Sequence, residues 1–128
     1  MYNTIVKVYF TGSIYYRNKF VETYKRIVSV LKEQGYQVFE HALKMTVDEY
    51  GSLDEAKGEI NYKEIVKWMD QADFAVIEGS FPSTLHIGLE ISLVLERSKP
   101  VIILYKKGFK PVIFLGMKMV INGQNNII

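Results

Sequence analysis

Four short runs of β-branched and aromatic residues punctuate this chain: Ile5 to Phe10, Tyr36 to Phe39, Phe74 to Ile77 and Pro100 to Tyr105. They read as buried strands, because runs such as Val101-Ile102-Ile103-Leu104 lack polar alternation and so need apolar cover on both faces. Between them the period changes. Phe20, Val21, Tyr24, Ile27, Val28 and Leu31 recur at helical spacing, predicting a helix from about Asn18 to a C-cap at Gly35. A second helix is predicted from about Asn61 to Gln71, after a polar, aperiodic excursion at Met45 to Gly58. A third follows the proline-marked loop Ser80 to Leu85 and ends near Ser98. Strands alternating with helices in this way imply right-handed crossovers and a parallel sheet covered on both sides. The predicted architecture is therefore a flavodoxin-like (Rossmann-like) three-layer α/β sandwich. It is one domain, with a mostly parallel five-stranded sheet in the order 2-1-3-4-5. The fifth strand falls among weak signals beyond the Lys106 to Gly108 loop and a short helix around Val112 to Leu115, where the chain is expected to stop early.

Ligands of such open sheets bind beyond the carboxyl ends of the strands, where the strand order reverses. That placement brings the Thr11 to Tyr16 loop beside the Glu78 to Leu85 loop, two hydroxyl-rich turns lining one crevice. The residue out of place is Glu90. It follows Ile87 by three positions and precedes Val94 by four, on or beside the apolar stripe that includes Ile91 and Leu95. A carboxylate there is costly unless it is paired, hydrogen-bonded or facing a wet cavity. If the helix begins near Thr84 to His86, its dipole is expected to favour the ionised form. A poorly solvated carboxylate at the mouth of a crevice is suited to attack or stabilise an oxocarbenium-like sugar carbon. The plain alternative is a helix-edge glutamate hydrogen-bonded to the neighbouring turn.

Composition removes several other classes of function. Sixteen basic and fourteen acidic residues are interspersed for a net charge of +2, without the basic stripe of a protein that binds nucleic-acid polymers. There is no cysteine and the two histidines, His41 and His86, are far apart, so no metal site is signalled. The turn after the first strand lacks both a dinucleotide fingerprint and a lysine-serine phosphate loop, and no cofactor is expected. Ser13 has no histidine-acid relay in the sequence. No apolar run approaches bilayer length, and the short N-terminal stretch, interrupted by Lys7 and closed by Gly12, is too short for a signal segment; a cytoplasmic protein without a membrane partner is expected.

Several ordered blocks carry a resemblance. Tyr9-Phe10-Thr11-Gly12-Ser13-Ile14, Glu40-His41, Trp68-Met69-Asp70-Gln71-Ala72-Asp73, and Ser80-Phe81-Pro82-Ser83 followed by Gly88-Leu89-Glu90 span the chain from about Val8 to Tyr105. Their order and separation resemble the nucleoside 2-deoxyribosyltransferase-like family, which includes 2'-deoxynucleoside 5'-phosphate N-hydrolases. The resemblance implies that Glu90 is the nucleophile that captures the sugar C1', with Tyr9 beside it. It also implies substrate contacts from Gly12, Ser13, Tyr24, His41 and Ser83, a small-molecule nucleoside or nucleotide as partner, and a homodimer; Ile14, Tyr15, Ser80 and Gly88 in the same turns are further candidate substrate contacts.

The departures from that pattern are specific. Ile65, four residues before Met69, stands where the family's hydrolases usually place the carboxylate that protonates the leaving base. Glu64 is adjacent but roughly 100° away around a helix. His86 is a candidate replacement acid. Tyr15-Tyr16-Arg17 replaces an open glycine turn, and Pro111 stands where the nucleotide hydrolases lend a serine across their dimer, with Lys106, Lys107 and Lys110 as alternative sources of charge. The expected activity is N-glycosidic hydrolysis or deoxyribosyl transfer on a nucleoside or nucleoside 5'-monophosphate. The alternative is a nucleotide-binding or sensing module of the same fold whose catalytic acid has been lost.

Overall fold

The computed structural model describes residues 4–13, 17–40, 53–80 and 85–108, without the side chains of 17–19 and 85–86. In chain order these form β1 (Lys7–Thr11), α1 (Arg17–Glu33), β2 (Gln37–Phe39), α2 (Glu55–Gln71), β3 (Phe74–Glu78), α3 (Leu85–Glu96) and β4 (Val101–Leu104). The sheet order is β2-β1-β3-β4 and every pairing is parallel. This is the predicted arrangement over its first four strands. The predicted fifth strand, the short helix at Val112 to Leu115, and Lys110 and Pro111 lie outside the described residues.

Alternation along β1 and β3 divides the core in two. Tyr9, Ala75 and Ile77 face one side, where Ile65 and Met69 of α2 and Ile87, Ile91 and Val94 of α3 cover them. Val8, Phe10 and Val76 face the other, under Phe20, Tyr24, Ile27 and Val28 of α1. Tyr24 meets Phe10 edge-on, with ring centroids 5.8 Å apart. Removing so many apolar side chains from water is the dominant favourable contribution to such a fold.

Helix α2 begins at Glu55, earlier than the predicted Asn61, so the end of the supposed excursion is helical. Its first two turns carry Glu55, Ala56, Lys57, Glu59 and Ile60, all exposed, so the hydrophobic period is silent there. The start is set by Asp54, whose side chain accepts from the Lys57 backbone N–H at 2.8 Å. At the other end Lys99 donates to the carbonyls of Met69 and Asp70 at 2.6 and 2.7 Å, satisfying orphan acceptors of the last turn.

Helices α1 and α3 end in the same motif on different residues. After α1, Gly35 donates to Lys32 O and Tyr36 to Leu31 O, with Gly35 in the left-handed region at φ 86°. After α3, Ser98 donates to Leu95 O and Lys99 to Val94 O, with Ser98 at φ 55°. Glycine takes this conformation without penalty, whereas a Cβ there crowds the following carbonyl. The Ser98 residue is exposed. Ser98→Gly should therefore raise stability by about 1 kcal/mol in chemical denaturation; an unchanged or lowered midpoint would refute the left-handed cap.

Candidate active site

The carboxyl ends of β1 and β3 hold two buried carboxylates, one on each face of the sheet. Glu90, from α3, is 2% exposed. Its Oε1 accepts from the Tyr9 hydroxyl at 3.3 Å, and its Oε2 accepts a short hydrogen bond from Thr11 Oγ1. Both donors come from β1 at positions i and i+2, so the pleat puts their side chains on the face that α3 covers. The sequence had placed Tyr9 near Glu90. In the sequence Thr11 reads as part of a hydroxyl-rich turn, and the same alternation that turns Tyr9 inward also turns Thr11 inward.

Among the described residues no positive group meets Glu90, and burial governs its charge. Glu90 is pushed up to about 7 by desolvation, against the lowering effect of the Thr11 and Tyr9 hydrogen bonds. The helix dipole expected to favour the ionised form is outweighed by this burial. Helix α3 does begin at Leu85, but Glu90 sits beyond its first turn, where the dipole has faded. Tyr9 is raised well above the ordinary phenol range by its own burial, then by the charge of Glu90 and the hydrogen bond to it. It therefore holds its proton and serves as a neutral donor.

A cavity of about 390 Å³ opens beside Glu90, between α2 and α3. Glu90, Ile65 and Leu93 line it together with the more exposed Asn61, Tyr62 and Leu89. Asn61 and Tyr62 come from α2 and Leu89 and Leu93 from α3, and nothing in their sequence spacing marks them as a shared wall, because only the packing of the two helices brings them together. Ile65 is 4% exposed and holds the cavity wall, whereas the neighbouring Glu64 is exposed to solvent. Glu64 is not among the described residues that line the cavity.

The second carboxylate, Glu78, is 3% exposed at the end of β3. Its oxygens accept from the Ser80 backbone N–H and the Ser80 hydroxyl, both at 2.8 Å, and Ser80 Oγ accepts in turn from the Lys106 backbone N–H at 2.9 Å. Ser80 thus fastens the start of the loop that leads to α3. Burial raises the Glu78 carboxyl, opposed by these Ser80 bonds. Tyr24 is raised above the usual phenol range by burial and then by the Glu78 charge, and its hydroxyl donates to Ser13 O at 3.1 Å.

Gly12 lies directly against that ring. A Cβ at position 12 would come within 2.5 Å of the Tyr24 ring, so the turn admits only glycine without displacement. Ser13 Oγ is buried without a hydrogen-bond partner among the described residues. Such a group costs about 1–3 kcal/mol when left unsatisfied, which a ligand oxygen would offset. Gly88 is half-buried within α3. Ile14, Tyr15, His41 and Ser83 lie outside the described residues, as does the side chain of His86. Among the described residues no cluster of His, Cys, Asp and Glu could hold a metal ion, and no helix is long and apolar enough to cross a membrane.

Comparison with known proteins gives the following likenesses. The chain is 33% identical over 104 residues to a Syntrophotalea carbinolica protein named "Putative 2'-deoxynucleoside 5'-phosphate N-hydrolase 1", covering 80% of this chain and 70% of that one. It is 30% identical over 99 residues to the 5-hydroxymethyl-dUMP N-hydrolase of Rattus norvegicus, over 77% of this chain. There it spans only 60% of its relative's length. No family model matches the chain. A solved structure of a Clostridium botulinum CMP N-glycosidase shares the fold with a TM-score of 0.62 at 14% identity, covering 95% of this chain and 84% of that one.

The burial of Glu90 has a sign that stability measurements can read. The unfolded chain ionises this group near 4.5, the fold only near 7. Its protonated form is thus favoured by folding, a contribution fully present below about 4.5 and lost as pH rises through about 7. Between about pH 5 and about pH 8 the wild type should lose on the order of 3 kcal/mol more than Glu90→Gln does. Parallel stability curves for the two proteins in denaturant titrations would contradict the uncompensated burial.

Proposed function

The chain belongs to the 2'-deoxynucleoside 5'-phosphate N-hydrolase family, and on that premise we propose that it cleaves the N-glycosidic bond of a nucleoside 5'-monophosphate, preferably 2'-deoxy, with Glu90 as nucleophile. The observation that carries the reading is the buried Glu90 carboxylate, held from behind by Tyr9 and Thr11 and lining a cavity large enough for a small ligand. In the first step a Glu90 oxygen attacks C1', the bond from C1' to the base nitrogen breaks with its electron pair going to the base, and a glycosyl ester forms. In the second, water attacks C1', the carboxylate leaves, and the water proton passes to solvent or to the departed base. Tyr9 and Thr11 fix the carboxylate's orientation, which supplies the proximity on which such a displacement depends. Transfer of the sugar to a second base is the same second step with a base in place of water.

Ile65 on the cavity wall favours one competing reading, a module that binds the intact nucleotide without cleaving it. Release of free base from a panel of deoxynucleosides and their 5'-monophosphates separates the two. The wild type is expected to release base and Glu90→Ala to lose the activity. An intact ligand that raises the melting temperature and survives long incubation would instead support the binder.

A carboxylate nucleophile must be ionised, so kcat/KM should rise as pH passes through about 7. Tyr9→Phe or Thr11→Val removes a hydrogen bond that favours the charged form and should move that rise upward by about one unit. A profile that stays in place in both variants would exclude Glu90 as the titrating group. The homodimer implied by the resemblance belongs to the same proposal, and a monomer in light scattering at assay concentration would remove it.

A further inference from the structure

The cavity beside Glu90 has a charge character that bears on which leaving group it suits. Three of its lining residues are carboxylates, Glu90 within and the exposed Asp54 and Glu55, and none of its described lining residues is Lys, Arg or His. Asp54 is engaged in capping α2. The inner wall nearest the protein core is apolar, formed by Ile65 and Leu93. The two groups that hold Glu90, Tyr9 and Thr11, are neutral donors, so its negative charge has no countercharge among its described partners. A buried carboxylate in this state is held at a cost that a cation brought into the cavity would relieve. Tyr62, half exposed on the same wall, adds an aromatic face to which a flat cationic ring is attracted.

We propose that the leaving group this cavity is built to take is a heterocycle already positively charged on the glycoside, such as an N-alkylated nucleobase, so that it departs neutral without an acid from the protein. The proposal rests on the reading of Glu90 as nucleophile. Its charge balance distinguishes it from cleavage of an ordinary base. With a neutral base, attack by the carboxylate gives a neutral ester and a base anion, leaving a negative charge in a negative, partly apolar cavity unless an acid delivers a proton. With a cationic base, the carboxylate and the ring form an ion pair before the step. The pair of electrons from the C1'–N bond then neutralises the ring as the ester forms, and both charges vanish together. Separated charge is costly in a site of low dielectric, so its disappearance lowers the barrier there. Hydrolysis of the ester then regenerates the carboxylate and releases one proton to solvent.

The test uses two matched pairs that differ only in a methyl group and its charge: 7-methyl-dGMP with dGMP, and 3-methyl-dCMP with dCMP. Free base is measured for the wild type and for Glu90→Ala, after subtraction of spontaneous loss. In at least one pair the wild type should cleave the methylated member about 10²-fold or more faster, the gap that a missing general acid leaves open. Glu90→Ala should lose that activity. Neutral members cleaved within tenfold of their methylated partners would overturn the inference, since that result requires a proton donor such as His86, and would leave the glycosidase reading standing. No release from any of the four, or equal release by Glu90→Ala, would overturn both.

Discussion

The burial of one carboxylate against two hydroxyls is the constraint around which this structure is arranged. Glu90 is withdrawn from water on α3, and its oxygens are met by Tyr9 and Thr11 of β1, residues about eighty positions away in sequence. That meeting requires β1 to lie in the middle of the sheet beside β3, and the β3-to-α3 crossover to return over the face that Tyr9 and Thr11 share. It also requires α2 to pack next to α3, since Ile65 and Leu93 form the dry wall that raises the carboxyl. The donors orient the charge while burial opposes it, and burial prevails. A carboxyl group kept half-neutral near physiological pH gives up stability in its charged form, a perturbation of the kind that clusters at functional sites.

The legible part of this design is the part that periodicity encodes. Unbroken apolar runs announce strands covered on both faces, and the helical spacing of α1 and its Gly35 cap are both found as expected. Glu90 stands out because a charge on an apolar stripe violates the pattern. The beginning of α2 is less legible because its first turns bury almost nothing, and only the Asp54 cap marks it. The role of Thr11 is illegible for a different reason: a hydroxyl at a strand end reads equally well as turn chemistry, and only the partner's position decides which role it has. The balance between dipole and burial at Glu90 is not legible because sequence reveals a helix terminus but not the depth at which a side chain lies beneath it.

The turns at the carboxyl edge show how a loop near a reactive group is kept in place. Tyr24 rises from α1 to hold Ser13 O and fills the space that any side chain at position 12 would need. Ser80 takes part in three hydrogen bonds, two with Glu78 and one with the Lys106 amide, so the ends of β3 and β4 are tied through one hydroxyl. Rigid supports of this kind are what allow reacting groups to be held in geometry by a small domain.

Glu78, at the end of β3, and Glu90, on α3, lie on opposite sides of the sheet. The parity of β3 places Glu78 with Val76 on the α1 face, away from the α2–α3 cavity. Residues separated by a layer and sharing no partner tend to respond independently to substitution. The walls contributed by Asn61, Tyr62 and Leu89 can therefore be diversified, in evolution or in a laboratory library, while the anchoring turns on the other side keep their own chemistry. A scaffold divided in this manner is free to change what it accepts without relearning how to fold.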